Sequence, residues 1–276
     1  QFYLIFTVEI HDKIRSFILS NLVHTGHQTI GMEEECILYT KKNHRLPVNP
    51  GDEFSATDLL AIMNENVGRN GVYSLEPGGQ LEWSSLPYRD LNTLFTAIGK
   101  HKQALKEVVK ANNLKIINYS VEPKFIPDDI DLINLQKYHL MNDRFKFSGS
   151  HGHWMMRNST SVQVNIDMVC KADGENMAFI ADCLQPFCFF LFSHVPFVRG
   201  ACVKNKNYRL HVWDNTDMSR CGYLFDHDIN QNQNLIESFI DYMLGVPAIF
   251  VINKKSTITE FKGGLGNWLH LVSVVP

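Results

Sequence analysis

The feature that most restricts how this chain can fold is a pattern found in three separate segments: oxygen-bearing side chains two residues apart along strand-like stretches. In GGQLEWSS, Gln80, Glu82 and Ser84 point one way, and Leu81, Trp83 and Ser85 the other, because successive strand residues face opposite sides. In GMEEECILYT, Glu33 and Glu35 share a face. In SVQVNID, Gln163, Asn165 and Asp167 share one face, and Val162, Val164 and Ile166 the other. Any single pair is better read as the water-facing side of a hairpin, but three in one chain weaken that reading. Carboxylate and amide oxygens are the hard ligands that Mg²⁺ or Mn²⁺ prefers, and a site with few carboxylates leaves room for phosphate oxygens and water. A sheet with this chemistry could hold a metal–nucleotide.

A chain of 276 residues with 45% hydrophobic content can bury a sizeable core, as one large domain or two small ones. Its net charge of −3 and the lack of a long Lys/Arg run argue against nucleic acid and membrane surfaces as partners. The six cysteines have no CxxC pair or zinc-finger spacing, so most are expected as buried reduced thiols. The longest strongly apolar run, Phe187 to Phe192, is far shorter than the roughly 20 residues of a membrane helix. The start, QFYLIFTVEIHDK, has no basic n-region and no initiator Met. A cytoplasmic location and a native start further upstream are the expectations.

Ile14, Phe17, Ile18 and Leu22 predict an amphipathic first helix within residues 1–25. Ser55 or Thr57 is placed to cap a short helix through Asn64, and Leu91 to Val109 carries a clear helical stripe. Lys115–Ser120 reads as a strand, YHLMNDRF as helical, and SGSHGHW as a loop. Met177–Phe192 reads as a buried helix interrupted at Pro186. Asn234–Leu244 reads as a helix, and AIFVI with STITEF as a hairpin across Asn253-Lys254-Lys255.

GMEEE, LEPGGQLEWSS, YHLMNDRF, GSHGHWMMRNSTSVQVNID and YRLHVWDNTDMSRCG occur in the order and approximate spacing of motifs in the plant-type glutamate–cysteine ligase family, GCS2. The chain resembles that family from about Gly31 to about Pro247. The resemblance implies one ligase catalytic domain over 1–276, with its core at 31–276. It implies an α+β fold, glutamine-synthetase-like, in which a curved, mostly antiparallel sheet forms a funnel backed by helices. It also implies ATP-dependent joining of L-glutamate and L-cysteine through γ-glutamyl phosphate, a step toward glutathione. The alternatives are a carboxylate–amine ligase using another amine, or a nucleotide-binding remnant. Oligomeric state is left open.

By that resemblance Glu33 and Glu35 match an ExE pair and Glu82 the EPGGQ-x-E carboxylate, all implied Mg²⁺ (or Mn²⁺) ligands. Gln163 and Asn165 stand on the VQVN strand at the mouth of the same site. Glu76 is implied to ligate metal, position a Lys or cap the turn. Arg157, Arg209 and Arg220 are the candidates for substrate carboxylates, which a planar guanidinium binds with two parallel hydrogen bonds. In the family the arginine matched to Arg157 stands one residue nearer VQVN, where this chain has Asn158. Trp213 is a candidate pocket wall or plain core. His139, His151, His153 and His211 are not expected as ligands of a hard metal. After the hairpin, Trp268, His270 and Leu271 match the start of a W-x-x-HL segment, and the family's last strand, with a further Glu and Arg, is expected to be absent.

Overall fold

The computed structural model describes residues 2–66, 70–205, 207–229, 234–253 and 256–268. His270, Leu271, Lys254 and Lys255, named above, lie outside the described residues. The chain divides into two compact units: Thr29–Ile166 with Cys188–Thr216, and Gln1–Gln28 with Asp167–Phe187 and Asp217–Pro276.

The larger unit is built on β1 (Ile30–Thr40), against which three antiparallel strands pair. These are β3 (Leu81–Ser85), β4 (Leu114–Ile117) and β5 (Val162–Ile166); β2 (Gly71–Leu75) pairs with β3. The result is an open five-stranded antiparallel sheet backed by helices, as the α+β expectation has it. Cys36, Leu38, Tyr73, Leu81 and Trp83 line its back face and pack on α2 (Ala56–Asn66) and α3 (Leu91–Ala111) through Leu59, Met63, Ala97, Leu105 and Val109. Both helices start where the sequence supplies caps. Ser55 and Asp58 bond reciprocally, Ser55 N to Asp58 Oδ2 at 2.9 Å and Asp58 N to Ser55 Oγ at 3.2 Å, and Asp90 accepts from Thr93 N.

The hairpin β2–β3 turns through Glu76–Gln80, where Gly79 N donates to Glu76 O and Glu76 N to Gln80 O. Gly79 has φ +75°, and a Cβ on Gly78 would lie 2.6 Å from Arg157 Cα, so both positions require glycine. Buried Gln80 donates from Nε2 to the carbonyls of Met156 and Ser159. The turn is thereby tied to the end of α5 (Gly152–Asn158), the helix that leads into β5. SGSHGHW is therefore only partly a loop: Gly152 fits tightly against Phe145 of α4 (Gln136–Ser148), and the helix begins there. A second small core joins Val121, Trp154, Val195, Val198 and Val212, the last from α7 (Tyr208–Asp214). Val198 lies in β6 (Phe197–Val198), which pairs with β7 (Ala201–Cys202).

In the smaller unit, α1 (Phe2–Leu19) meets α8 (Leu235–Gly245) through Arg15, whose Nε and Nη2 donate to Glu237 at 2.7 and 2.6 Å. The hairpin of β8 (Phe250–Ile252) and β9 (Ile258–Glu260) forms as read from the sequence. Helix α6 (Lys171–Phe192) corrects two expectations. It runs through Pro186 without interruption, losing one backbone donor, and among the described residues Phe187, Phe190 and Leu191 are exposed rather than buried. A run such as FCFFLF is apolar all round, so it carries no signal of which side is covered. Cysteine burial is corrected as well: Cys36 is buried, Cys221 is intermediate, and Cys170, Cys183, Cys188 and Cys202 are exposed. No helix among the described residues is long and apolar enough to cross a membrane.

Candidate active site

The strand registers set out the front face of the sheet in rows. Ser74 pairs with Glu82 and Glu82 with Glu35, and Glu35 N bonds Ser161 O just before β5. In the next row Val72 pairs with Ser84, Ser84 with Glu33, and Glu33 with Gln163. Asn165 stands opposite Gly31 and donates to Glu33 Oε1 at 3.1 Å. Glu33, Glu35, Glu82, Gln163 and Asn165 thus share one face of adjacent strands. Asp167 lies past β5, in the other unit.

Neighbouring side chains hold each acid in place. Glu82 accepts from Ser74 Oγ at 2.8 Å. Glu35 accepts from Ser161 through N at 3.1 Å and Oγ at 2.5 Å, and from Gln163 Nε2 at 3.4 Å. Glu35 and Glu82 are direct cross-strand partners, an arrangement of like charges that is unfavourable unless a cation compensates. Burial, aided by Glu82, raises the Glu35 carboxyl above its usual range, against the opposing effects of the Ser161 bond and Arg209. Glu76, at the start of the turn, is raised to about 7, first by burial and then by Glu35 and Glu82, while Lys137 opposes the rise. Four carboxylates therefore interact on this face, opposed by the charges of Arg209 and Lys137.

The carboxylate and amide oxygens of this donor set have the chemistry of a hard divalent cation's ligands. Among the described residues no three His, Cys, Asp or Glu side chains stand close enough to enclose an ion by themselves. Glu33, Glu35 and Glu82 are brought to one face without closing on a common point. A cation here would take one or two carboxylates and fill its shell with water and phosphate oxygens, the usual manner of Mg²⁺.

The three arginines have different surroundings. Arg209, on α7, donates from Nε to Thr160 O at 2.9 Å and lies over Phe189 and Trp213, 5.5 and 5.7 Å from the ring centroids. Burial lowers its pKa and the charge of Glu35 opposes that; Thr160, which Arg209 bonds, is the chain neighbour of the Ser161 that holds Glu35. Arg157 is used elsewhere: Nη1 donates to the carbonyls of Pro127 and Ile130, and Nη2 to Asn142. Asn158, next to it, is fully buried and donates to Phe125 O. Arg220 belongs to the other unit, where it bonds Asp217 at 2.9 Å and Pro247 O at 2.7 Å. His153 bonds Asn142 O, His139 bonds Asn134, and His151 packs edge-on to His211.

Sequence reasoning missed Ser74, Ser161, Arg45 and Glu122. Ser161 extends the Gln163–Asn165 alternation by one step, so the signal was present. Arg45 and Glu122 form a buried ion pair at 3.5 Å; Arg45 also donates to Gly78 O, and Tyr39 Oη bonds Glu122. No local pattern announces that pairing.

Comparison with known proteins gives a consistent result. The family model "Glutamate-cysteine ligase family 2 (GCS2)" matches residues 29–272. Proteins named chloroplastic glutamate–cysteine ligase are similar: that of Nicotiana tabacum is 32% identical over 200 residues, covering 71% of this chain and 37% of its own length. The A form from Oryza sativa subsp. indica is 30% identical over 243 residues, 86% of this chain and 48% of its own length. The chain thus spans less than half the length of these relatives. Their names overturn the cytoplasmic expectation, since they are described as chloroplastic. With a family model covering most of its length and its acidic motifs on one sheet face, the chain belongs to glutamate–cysteine ligase family 2.

Proposed function

We propose that the protein is an ATP-dependent glutamate–cysteine ligase, in which the front face of the sheet holds the metal–nucleotide and Arg209 a substrate carboxylate. The observation that carries this reading is the opposed pair Glu35–Glu82, flanked by Glu33 and by a Glu76 whose carboxyl is raised to about 7. A bound divalent cation neutralises phosphate charge during phosphoryl transfer. One or two of Glu33, Glu35, Glu76 and Glu82 would hold it, the acids being oriented by Ser74, Ser161, Gln163 and Asn165. Gln163 and Asn165 also face the nucleotide side. The γ-carboxylate oxygen of glutamate attacks the γ-phosphorus of ATP and ADP leaves. The amine of cysteine then attacks the acyl carbon, and phosphate departs as the amine loses its proton. Arg209 presents a fixed two-pronged donor for glutamate on a face that otherwise repels anions. Arg220 is a further candidate by family motif.

The test is ADP release with ATP and glutamate, with and without cysteine, and with other small amines. Release that depends on glutamate and is stimulated most by cysteine supports the reading. Equal stimulation by another amine favours a different carboxylate–amine ligase, and nucleotide binding without turnover favours a remnant.

A further inference from the structure

Against the back of the acidic sheet packs an ionisable side chain that the proposed chemistry does not use. His101, on α3, is 3% exposed and makes three contacts in a line. Its ring is stacked on Trp83 with centroids 4.4 Å apart and planes 5° apart. Its Nδ1 lies 2.8 Å from Tyr73 Oη. Its Nε2 faces Glu34 Oε2 at 3.8 Å, a buried oxygen with no hydrogen-bond partner. With the proton on Nε2, Tyr73 donates to Nδ1 and the N–H points toward that oxygen.

These three contacts are a single cross-strand row: Tyr73 pairs with Trp83, and Trp83 with Glu34. Each member is the chain neighbour of a front-face group. Tyr73 adjoins Ser74, Trp83 lies between Glu82 and Ser84, and Glu34 lies between Glu33 and Glu35. One imidazole from a helix therefore grips, from behind, the row sandwiched between the two acid-bearing rows. A rotation or slide of β3 against β1 that altered the Glu82–Glu35 spacing would have to break the stack on Trp83 or the approach to Glu34.

We infer that His101 is a positioning residue for the front-face cation site: through Tyr73, Trp83 and Glu34 it sets the spacing of Glu82 against Glu33 and Glu35. This rests on the reading of that face as a metal–nucleotide site. It does not touch substrate, and its action passes through β2, β3 and β1. Groups that orient metal-binding side chains from behind commonly change metal affinity by about 10- to 100-fold when replaced.

The experiment titrates Mn²⁺ alone into wild-type protein, His101→Phe, Tyr73→Phe and Glu82→Gln, following the free ion by electron paramagnetic resonance. Folding of each is checked by circular dichroism. His101→Phe keeps an aromatic stack but loses both polar contacts, and is expected to bind Mn²⁺ about tenfold more weakly, with Tyr73→Phe showing a smaller loss. In turnover, KM for the metal–nucleotide should rise while KM for glutamate stays the same, a split that a general loosening of the fold would not give. Trp83 emission, taken as the difference from Trp83→Phe, should respond to Mn²⁺ in wild type and not in His101→Phe. Wild-type Mn²⁺ affinity in a folded His101→Phe overturns the positioning role and leaves the front-face reading standing. Absence of Mn²⁺ binding by wild type, or undiminished binding by Glu82→Gln, overturns that reading and this inference with it. If His101→Phe does not fold, Tyr73→Phe decides by the same criteria.

Discussion

Replacing Glu76 by Gln tests whether the acidic face is electrostatically strained in the absence of a cation. The folded carboxyl keeps its proton up to about pH 7, whereas the unfolded one releases it near 4.5. The folded state therefore binds more protons between those values, and stability falls as pH rises through that window. A shift of this size corresponds to an upper bound of about 3 kcal/mol above pH 7, mostly from burial, with salt screening only the part that Glu35, Glu82 and Glu33 contribute. Gln keeps the shape and carries no charge, so the variant should match wild type at pH 4.5 and melt about 5 °C higher at pH 8 in EDTA. The assay is a pair of thermal melts at each pH, with and without Mg²⁺. Adding Mg²⁺ at pH 8 should narrow the gap, because the cation relieves in wild type what the substitution has already removed. An equal gain at pH 4.5 and pH 8, or no gain at pH 8, would refute the argument.

Three further outcomes are expected. Glu82→Gln should weaken Mg·ATP binding while leaving the fold intact, measured by calorimetric titration beside circular dichroism. Arg209→Lys keeps the charge but loses the fork, so KM for glutamate should rise about tenfold or more in the ADP-release assay while KM for ATP changes little. Arg45→Met leaves Glu122 buried without its counter-ion and should cost about 3–5 kcal/mol in urea unfolding, with Arg45→Met/Glu122→Gln recovering a large part of that loss.

Much of the front face was legible because strand alternation is a local signal. Once Glu33, Glu35, Glu82, Gln163 and Asn165 are assigned to strands, their faces follow from counting in twos. Which strands adjoin is not local, and it is adjacency that makes Glu35 and Glu82 partners and brings Ser161 onto Glu35. The arginines illustrate the same limit. Arg157 and Arg209 look alike in sequence, yet one is bonded to the carbonyls of Pro127 and Ile130 and the other to Thr160 O, beside the Ser161 that holds Glu35. Helix α5 was hidden because Ser-Gly-Ser-His-Gly reads as a turn, and tertiary packing of Gly152 on Phe145 outweighed that propensity. The back-face row was half visible: Trp83 was placed on the apolar side, but its partner on α3 lies eighteen residues further along the chain.

The Glu76–Gln80 turn also governs how this protein tolerates changes in length. Moving β3 by one residue against β1 would send Glu82 to the helix side and bring Leu81 or Trp83 out among Glu33 and Glu35, so every group on both faces would be misplaced together. The turn is pinned at Gly78 against Arg157 and at Gln80 against Met156 and Ser159, leaving no slack to absorb an added residue. The 86–90 connection between β3 and α3 is tied to β1 as well, since Tyr88 N donates to Ile30 O at 2.9 Å and Ile30 N to Tyr88 O at 2.8 Å. Single-residue insertions in the Glu76–Gln80 turn should therefore abolish function, so that the permissible length of this hairpin is dictated by parity rather than by side-chain chemistry.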